Sequence, residues 1–225
     1  RPIAERGLIG LVAVSAATNA AVAPTGGRVA RYSTNPIAAG LPTTGDPLLI
    51  DISTASTTNR MTERRRRAGR SLDFPALIDG DGEPSDDPAV LDADPPGAIL
   101  PLGGISAGHK GYALAVLIEA LTSALAGSGR AAAEDGAKPG SSVFVQIIDP
   151  GAFGGDAYFK EMTHFANYLR ATPPVSDASP VRVPGDRAVA LRREQLDRGV
   201  ALHAEILGLL GPVAERFGVP LPGPI

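Results

Sequence analysis

Four consecutive residues, Gly108-His109-Lys110-Gly111, combine what an anion site needs. Phosphates and carboxylates are held by backbone N–H groups, by helix N-termini and by cations. The spacing of Leu114, Leu117, Ile118, Leu121 and Leu125 predicts a helix from near Lys110 to near Gly127, so the segment opens that helix. Its glycines permit close backbone approach. Lys110 offers a point charge to a phosphate or a carboxylate. A glycine-rich helix start with an exposed lysine would give the same pattern, and spacing alone leaves both readings open.

Two more segments carry similar potential. Asp51-Ile52-Ser53-Thr54 closes an apolar run, and a strand end with an acid and two hydroxyls suits hydrogen bonds to ribose or amide groups. A strand-to-helix cap through Ser53 or Thr54 is the alternative. Val183-Pro184-Gly185-Asp186 sets a stiff residue beside a flexible one and an acid, and Asp186 could equally cap the final helix. The arginines at positions 64–67, with Arg70, are flanked by Glu63 and Asp73. They read as a compensated, solvated helix face, or else as a site for a phosphate or an acidic partner.

Other chemistries are excluded or weakened. The chain has no cysteine, which removes disulfides, thiolate catalysis and cysteine-ligated zinc. His109, His164 and His203 lack metal-ligand spacing, so no metal is expected; His164 and His203 fall on predicted amphipathic helices as packed or surface residues. Asp79-Gly80-Asp81-Gly82 resembles the start of a calcium loop without its closing acid. No GxGxxG follows a strand and no GxxxxGK[ST] occurs, so neither a Rossmann nor a P-loop site is expected.

The elements that must position these residues follow from periodicity. Leu8 to Val14, Ile37 to Leu41, Leu48 to Ile52 and Ser141 to Asp149 read as strands, the middle two joined by the turn Thr43-Thr44-Gly45-Asp46. Thr57 to Gly69, Ala157 to Leu169 and Arg187 to Phe217 read as helices, the last broken at Gly211-Pro212. Asn35 precedes Pro36 and is expected to be extended. Phe74 to Pro95 and Pro173 to Pro184 are turn-rich or loop. Alternating strands and helices make the class α/β.

Composition bounds the rest. The 225 residues suffice for one substantial domain, or for one domain with an appendage. With aromatics at 4%, the core must be built from Ala, Val, Leu and Ile. A net charge of −3 gives no polyanion-binding surface, so no nucleic-acid partner is expected. The longest uncharged apolar stretch, Gly7 to Gly27, is interrupted by Ser15, Thr18, Asn19 and Pro24, so no membrane partner is expected either. The missing cysteines fit a reducing, cytoplasmic compartment.

Seven segments fall in one order: Thr34-Asn35-Pro36-Ile37-Ala38, Ile50-Asp51-Ile52-Ser53-Thr54, Asp79-Gly80-Asp81-Gly82 with Asp87-Pro88, and Leu100-Pro101-Leu102-Gly103-Gly104. Then come Gly108-His109-Lys110-Gly111-Tyr112-Ala113-Leu114, Ile148-Asp149-Pro150 with Phe153, and Arg182-Val183-Pro184-Gly185-Asp186. In this order the chain resembles the type 2 malate/L-lactate dehydrogenase family, which includes ureidoglycolate, sulfolactate and diketogulonate enzymes and cyclic-imine reductases.

The resemblance implies a mixed-sheet, non-Rossmann α/β fold and a homodimer. It implies NAD or NADP as cofactor and a small carboxylate as substrate. Thr18, Asp51, Ile52, Ser53, Thr54, His109, Lys110, Gly111, Pro184, Gly185 and Asp186 would lie along the dinucleotide. Residues 1–185 would form the cofactor-binding domain. Residues 186–225 would be a helical segment packing with an amino-terminal region, expected upstream of residue 1, that carries the proton-transferring histidine. The chain departs from the family at Thr18, Thr25, where Trp is common, and at Ser33 and Arg60, where Gly is common. Those departures keep open an alternative, a non-catalytic binding or scaffold protein with the same fold.

Overall fold

The computed structural model describes residues 1–135, 140–202, 204–221 and 223. Contacts divide the chain into two units, Arg1–Thr163 and His164–Ile225.

In the first unit, strands β1 (Ile9–Ala16), β2 (Ile37–Leu41), β3 (Leu48–Ile52) and β7 (Ser141–Ile148) form a four-stranded sheet in the order β3-β2-β1-β7. β-branched residues recur in β1 (Ile9, Val12, Val14) and β7 (Val143, Val145, Ile147, Ile148), and the two pair over their full length, from Ile9 with Ile148 to Ala16 with Ser141. The β2–β3 turn is tied by Thr43 Oγ1, which donates to the Asp46 carbonyl at 2.9 Å and accepts from the Gly45 N–H at 3.0 Å. A second sheet, β5-β4-β6, joins three two-residue strands: β4 (Leu77–Ile78), β5 (Pro84–Ser85) and β6 (Ala98–Ile99). Every ladder among the described residues is antiparallel, and the parallel element is an isolated bridge between Val22 and Ile99. The α/β class and its non-Rossmann character hold.

The core sits around the small sheet. Val22, Ala55, Leu72, Ala76, Leu77, Ile99 and Ala115 pack together with Tyr32, whose ring lies 6.0 Å from that of Tyr112. Small aliphatic side chains dominate, as the scarcity of aromatics requires.

The helices of this unit are α1 (Asn59–Arg67), α2 (Gly104–Glu119), α3 (Arg130–Glu134) and α4 (Asp156–Arg170), the last running across the division at residue 163. Thr58 caps α1 by accepting from the Met61 N–H at 3.2 Å. The α2 helix begins at Gly104, six residues before its expected start. Gly103 (φ 100°) and Gly104 (φ 58°) are left-handed, a conformation open to glycine. Ala107 (φ −133°, ψ 16°) then interrupts the turn, so regular helix resumes at Gly108. After Glu119 the helix widens into a π turn over Ala120–Ala124.

Side chains from outside explain that widening. Asn35 Nδ2 donates to the Ala115 carbonyl at 3.2 Å, and Ser15 Oγ lies 2.6 Å from both Thr122 Oγ1 and Ser123 Oγ. Asn35 is not extended as the following proline led us to expect. Its φ is 36°, a left-handed value that asparagine tolerates. Hydrogen bonds from Ser33 Oγ to its Oδ1 (2.7 Å), and from its Nδ2 to Ala115 O and Glu119 Oε1 (3.1 Å), fix this fully buried side chain.

In the second unit, α5 (Asp186–Arg198) ends at Gly199 (φ 82°), and α6 (Ala204–Phe217) follows. The break therefore falls after Arg198, over residues 199–202, and not at Gly211-Pro212. Pro212 lies inside α6. The carbonyl its ring must avoid belongs to Gly208, which has no side chain to resist a tilt. His164 opens this unit and stacks on Tyr168 with ring centroids 6.4 Å apart. His203 lies outside the described residues.

Candidate functional site

Residues 51–56 leave β3 and are stitched to residues 100–102. Asp51 and Ile52 are exposed at the end of this edge strand. Ser53 Oγ donates to the Thr34 carbonyl at 3.0 Å and accepts from the Ala55 N–H. Thr54 is fully buried, and both its N–H and its Oγ1 donate to the same Thr34 carbonyl at 3.1 Å. Its own carbonyl accepts from Leu102 N–H at 2.8 Å. Ser56 adds two bonds, from its N–H to Leu100 O (2.9 Å) and from its Oγ to Pro101 O (2.6 Å).

Leu102 links this strip to the second predicted segment. The Gly111 N–H donates to Leu102 O at 3.2 Å. A Cβ at Gly111 would stand 2.4 Å from that oxygen, so only glycine lets α2 approach so closely. Thr54 and Gly111 thus both bond to Leu102 within the first unit. His109 and Lys110 are exposed, while Gly108 is buried beside Thr25 and Pro101. Thr18 is exposed in the turn that ends β1.

Residues 184–186 belong to the second unit. Gly185 (φ 102°) is the entry to α5. Arg170 donates to both carboxylate oxygens of Asp186, at 2.7 and 3.1 Å, and the Val183 N–H donates to Oδ2 at 3.0 Å. The Arg170 guanidinium holds the Asp186 carboxyl below the usual carboxylate range.

Three cavities are lined in part by residues 56 and 100–102. One of about 280 Å³ lies among Ser56, Thr58, Met61, Arg65 and Phe74. One of about 560 Å³ shares Ser56 and Phe74 with it and extends over residues 102–106. The third, about 620 Å³, shares Gly104 and Ile105 with the second and reaches residues 24–28, 78 and 81–82. Adjoining cavities thus share lining residues, and the two larger ones form a furrow bordered by Gly104 and Ile105 at the start of α2. A Cβ at Gly104 would meet nothing within 4 Å, so bare backbone lines the furrow there. Hydroxyls from Ser56, Thr57, Thr58 and Ser106 and apolar groups from Met61, Phe74 and Ile105 complete walls of a kind that hold an extended, hydrogen-bonding ligand.

The arginines of α1 are largely committed. Arg65 pairs with both oxygens of Asp73 (2.7 and 2.8 Å), Arg67 with Glu63 (2.6 Å), and Arg66 with Glu63 and Asp92. The hydrogen bonds from Arg67 and Arg66 lower the Glu63 carboxyl below its ordinary pKa. This is a compensated helix face. No group of three or more His, Asp or Glu able to hold a metal occurs among the described residues.

Sequence reasoning missed Arg28 and Asp81, which line the largest of these cavities. The turn signals Thr25-Gly26-Gly27 and Asp79-Gly80-Asp81-Gly82 were visible, but nothing local says that the two turns share a cavity.

Residues 1–210 match the model of the malate/L-lactate dehydrogenase family. An L-lactate dehydrogenase of Cupriavidus necator is 32% identical over 206 residues, covering 89% of this chain and 58% of that protein. A Delta(1)-pyrroline-2-carboxylate/Delta(1)-piperideine-2-carboxylate reductase of Pseudomonas putida is 32% identical over 217 residues, covering 92% and 59%. The crystal structure of malate dehydrogenase from Entamoeba histolytica superposes with a TM-score of 0.87 at 24% identity, over 99% of this chain and 64% of that one, a likeness of fold. The chain thus spans a little under 60% of these two curated relatives.

Proposed function

The chain belongs to the malate/L-lactate dehydrogenase family, and from that premise we propose that it is the cofactor-binding part of an NAD(P)-dependent oxidoreductase. The substrate is a small 2-hydroxy or 2-oxo acid, or a cyclic imino acid. When bound, the nicotinamide supplies the hydride chemistry. The residues of this chain bind and orient. Lys110 and His109 face the anionic part of the cofactor or the substrate carboxylate, and residues 51–54 run along the dinucleotide with Thr18 nearby. Residues 184–186 approach its adenosine side.

The observation that carries this reading is the family match over residues 1–210. It is supported by Leu102, which hydrogen-bonds both Thr54 and Gly111, and by the furrow that Leu102 lines, with bare backbone at Gly104. Because Thr54 is buried with its hydroxyl engaged, only its surroundings, and not its side chain, face a ligand. Residues 1–185 form the cofactor-binding domain and 186–225 a helical segment that packs with an amino-terminal region carrying the proton-transferring histidine. The protein works as a cytoplasmic homodimer without nucleic-acid or membrane partners. No helix among the described residues is long and apolar enough to cross a membrane.

Lys110→Met tests the reading. It keeps an apolar stem and helix propensity but removes the charge and three donors. Loss of one charged hydrogen bond, about 1.5–3 kcal/mol, weakens binding roughly ten- to a hundredfold. Titration with NAD and NADP, followed by kinetics on a panel of 2-oxo acids and cyclic imines with the intact protein, separates the two anions. Weaker cofactor binding assigns Lys110 to the phosphate. A raised KM with unchanged cofactor binding assigns it to the carboxylate. A folded variant unchanged in both would reject the role of Lys110.

A further inference from the structure

Thr54 and Gly111, one from each of two proposed cofactor segments, belong to a closed ring of hydrogen bonds. The Thr54 N–H donates to Thr34 O at 3.1 Å, the Leu102 N–H to Thr54 O at 2.8 Å, and the Gly111 N–H to Leu102 O at 3.2 Å. One turn further along α2, Ala115 O accepts from Asn35 Nδ2 at 3.2 Å, and Asn35 follows Thr34 in the chain. The links at Thr54, Leu102 and Gly111 use backbone N–H groups, which any residue but proline supplies. The link at Ala115 depends on one side chain. Asn35 closes the ring, and its substitution opens it.

Few residues can stand there. Asn35 has φ 36°, in the left-handed region that asparagine tolerates and β-branched residues do not. Its amide is fully buried and both ends are engaged. Nδ2 donates to Ala115 O and, at 3.1 Å, to Glu119 Oε1, while Oδ1 accepts from Ser33 Oγ at 2.7 Å. Ser33 decides which way round the amide sits. Its Oγ accepts from the Ala16 N–H at 3.4 Å, so its own hydrogen is directed to Asn35 Oδ1 and the NH2 group is turned to α2. An amide turned the other way would aim its oxygen at Ala115 O and at the Glu119 carboxylate.

We propose that Asn35 is a positioning residue for the dinucleotide site, and that Ser33 acts through it. Neither touches the ligand. Asn35 holds α2 against residues 54 and 102, so that His109 and Lys110, which precede Gly111, keep a fixed station relative to the end of β3. This rests on the reading that residues 51–54 and 109–111 bind NAD or NADP.

The intact protein is titrated with NADH and NADPH by nicotinamide fluorescence, and hydrogen exchange of residues 103–112 is followed by mass spectrometry. The samples are the unsubstituted protein, Asn35→Gly, Asn35→Asp and Ser33→Ala. Asn35→Gly keeps the backbone conformation and removes the amide. It should weaken dinucleotide binding roughly five- to tenfold and speed exchange at residues 103–112. Ser33→Ala should move both in the same direction, with affinity falling roughly two- to threefold.

Asn35→Asp separates positioning from lost stability. The new carboxylate lacks the donor and stands beside Glu119, whose other neighbour is Arg130 Nη1 at 3.2 Å. Burial and the Glu119 charge raise its pKa. As pH falls from about 8 to about 5.5 it regains a proton that it can donate to Ala115 O. Dinucleotide affinity, taken relative to the unsubstituted protein at each pH, should then recover. A defect of stability alone would not be reversed by acid.

Melting scans check folding. Folded Asn35 variants with unchanged dinucleotide affinity, or with unchanged exchange at residues 103–112, overturn the proposal, as does an Asn35→Asp defect indifferent to pH. If neither Asn35 variant folds, Ser33→Ala decides, and an affinity it leaves unmoved overturns the proposal. Failure of the unsubstituted protein to bind either dinucleotide defeats the cofactor reading itself. Binding that the substitutions do not change defeats the positioning role alone.

Discussion

Residues 21–101 and residues 186–217 invert the usual association of regular backbone with burial. The first region has strands of only two residues around β4, and long turns, yet it holds Val22, Leu77 and Ile99, all at or near 0% exposed. The second is almost wholly helical, but among its described residues only Val189 and Ala214 are buried, and Leu209 is 71% exposed. Hydrogen-bonded regularity is a local property, whereas burial depends on what crosses over a segment. In this chain the stabilising apolar contacts sit where loops cross, and those loops also make the furrow.

The contrast predicts unequal mutational costs. Leu77→Ala should destabilise the chain by about 2–5 kcal/mol, because a fully buried leucine leaves a cavity. Leu209→Ala should change it by no more than about 0.5 kcal/mol. Urea unfolding followed by circular dichroism measures both, and equal shifts would erase the distinction.

Gly111→Ala comes next. Alanine is a better helix former than glycine, but its methyl would meet Leu102 O at 2.4 Å. A net loss of about 1–3 kcal/mol is expected, with weaker cofactor binding as α2 shifts away from residue 102. A gain in stability would mean that the contact between α2 and residues 100–102 is slack.

The smallest effect belongs to the helical region. The Asp186 carboxyl is held below its ordinary value of 3.8, first by Arg170 and then by the Val183 N–H. A depressed carboxyl contributes stability above its unfolded pKa and loses it as pH falls through the folded one. Native stability should therefore decline on acidification below about pH 4, and Asp186→Asn should flatten that part of the profile. The difference is under about 1 kcal/mol because the pair is partly solvated. Melts at stepped pH report it, and parallel curves would deny Asp186 this role.

Much of the regular structure was legible in the sequence. β2 and β3 fall on their expected residues, and β1, β7, α1 and α4 within two of them, because each has a clear apolar period and a turn or cap beside it. The failures were non-local. The helix expected from near Lys110 starts at Gly104, because left-handed Gly103 and Gly104 open it where residues 102 and 111 meet. The π turn needs Ser15 and Asn35, each more than 80 residues away along the chain. Asn35 itself defied the rule for residues before proline because three hydrogen bonds hold it. For the site, exposure of His109 and Lys110 on a helix could be foreseen, but the burial of Thr54 and the sharing of one cavity by Arg28 and Asp81 could not. Both depend on which strand or turn lies opposite.

Strand β7 has one further consequence. It is an edge of the larger sheet, eight residues long, with no charge and no proline between Ser141 and Ile148. Val143, Val145 and Ile147 stand on one face, each more than half exposed. Edge strands elsewhere are guarded by lysines, prolines or bulges, because unpaired backbone donors and acceptors template another strand. No such gatekeeper occurs here. A charge in the middle of this ribbon, as in Val145→Lys, is expected to lower strand-to-strand self-association of the isolated chain, which sedimentation would read.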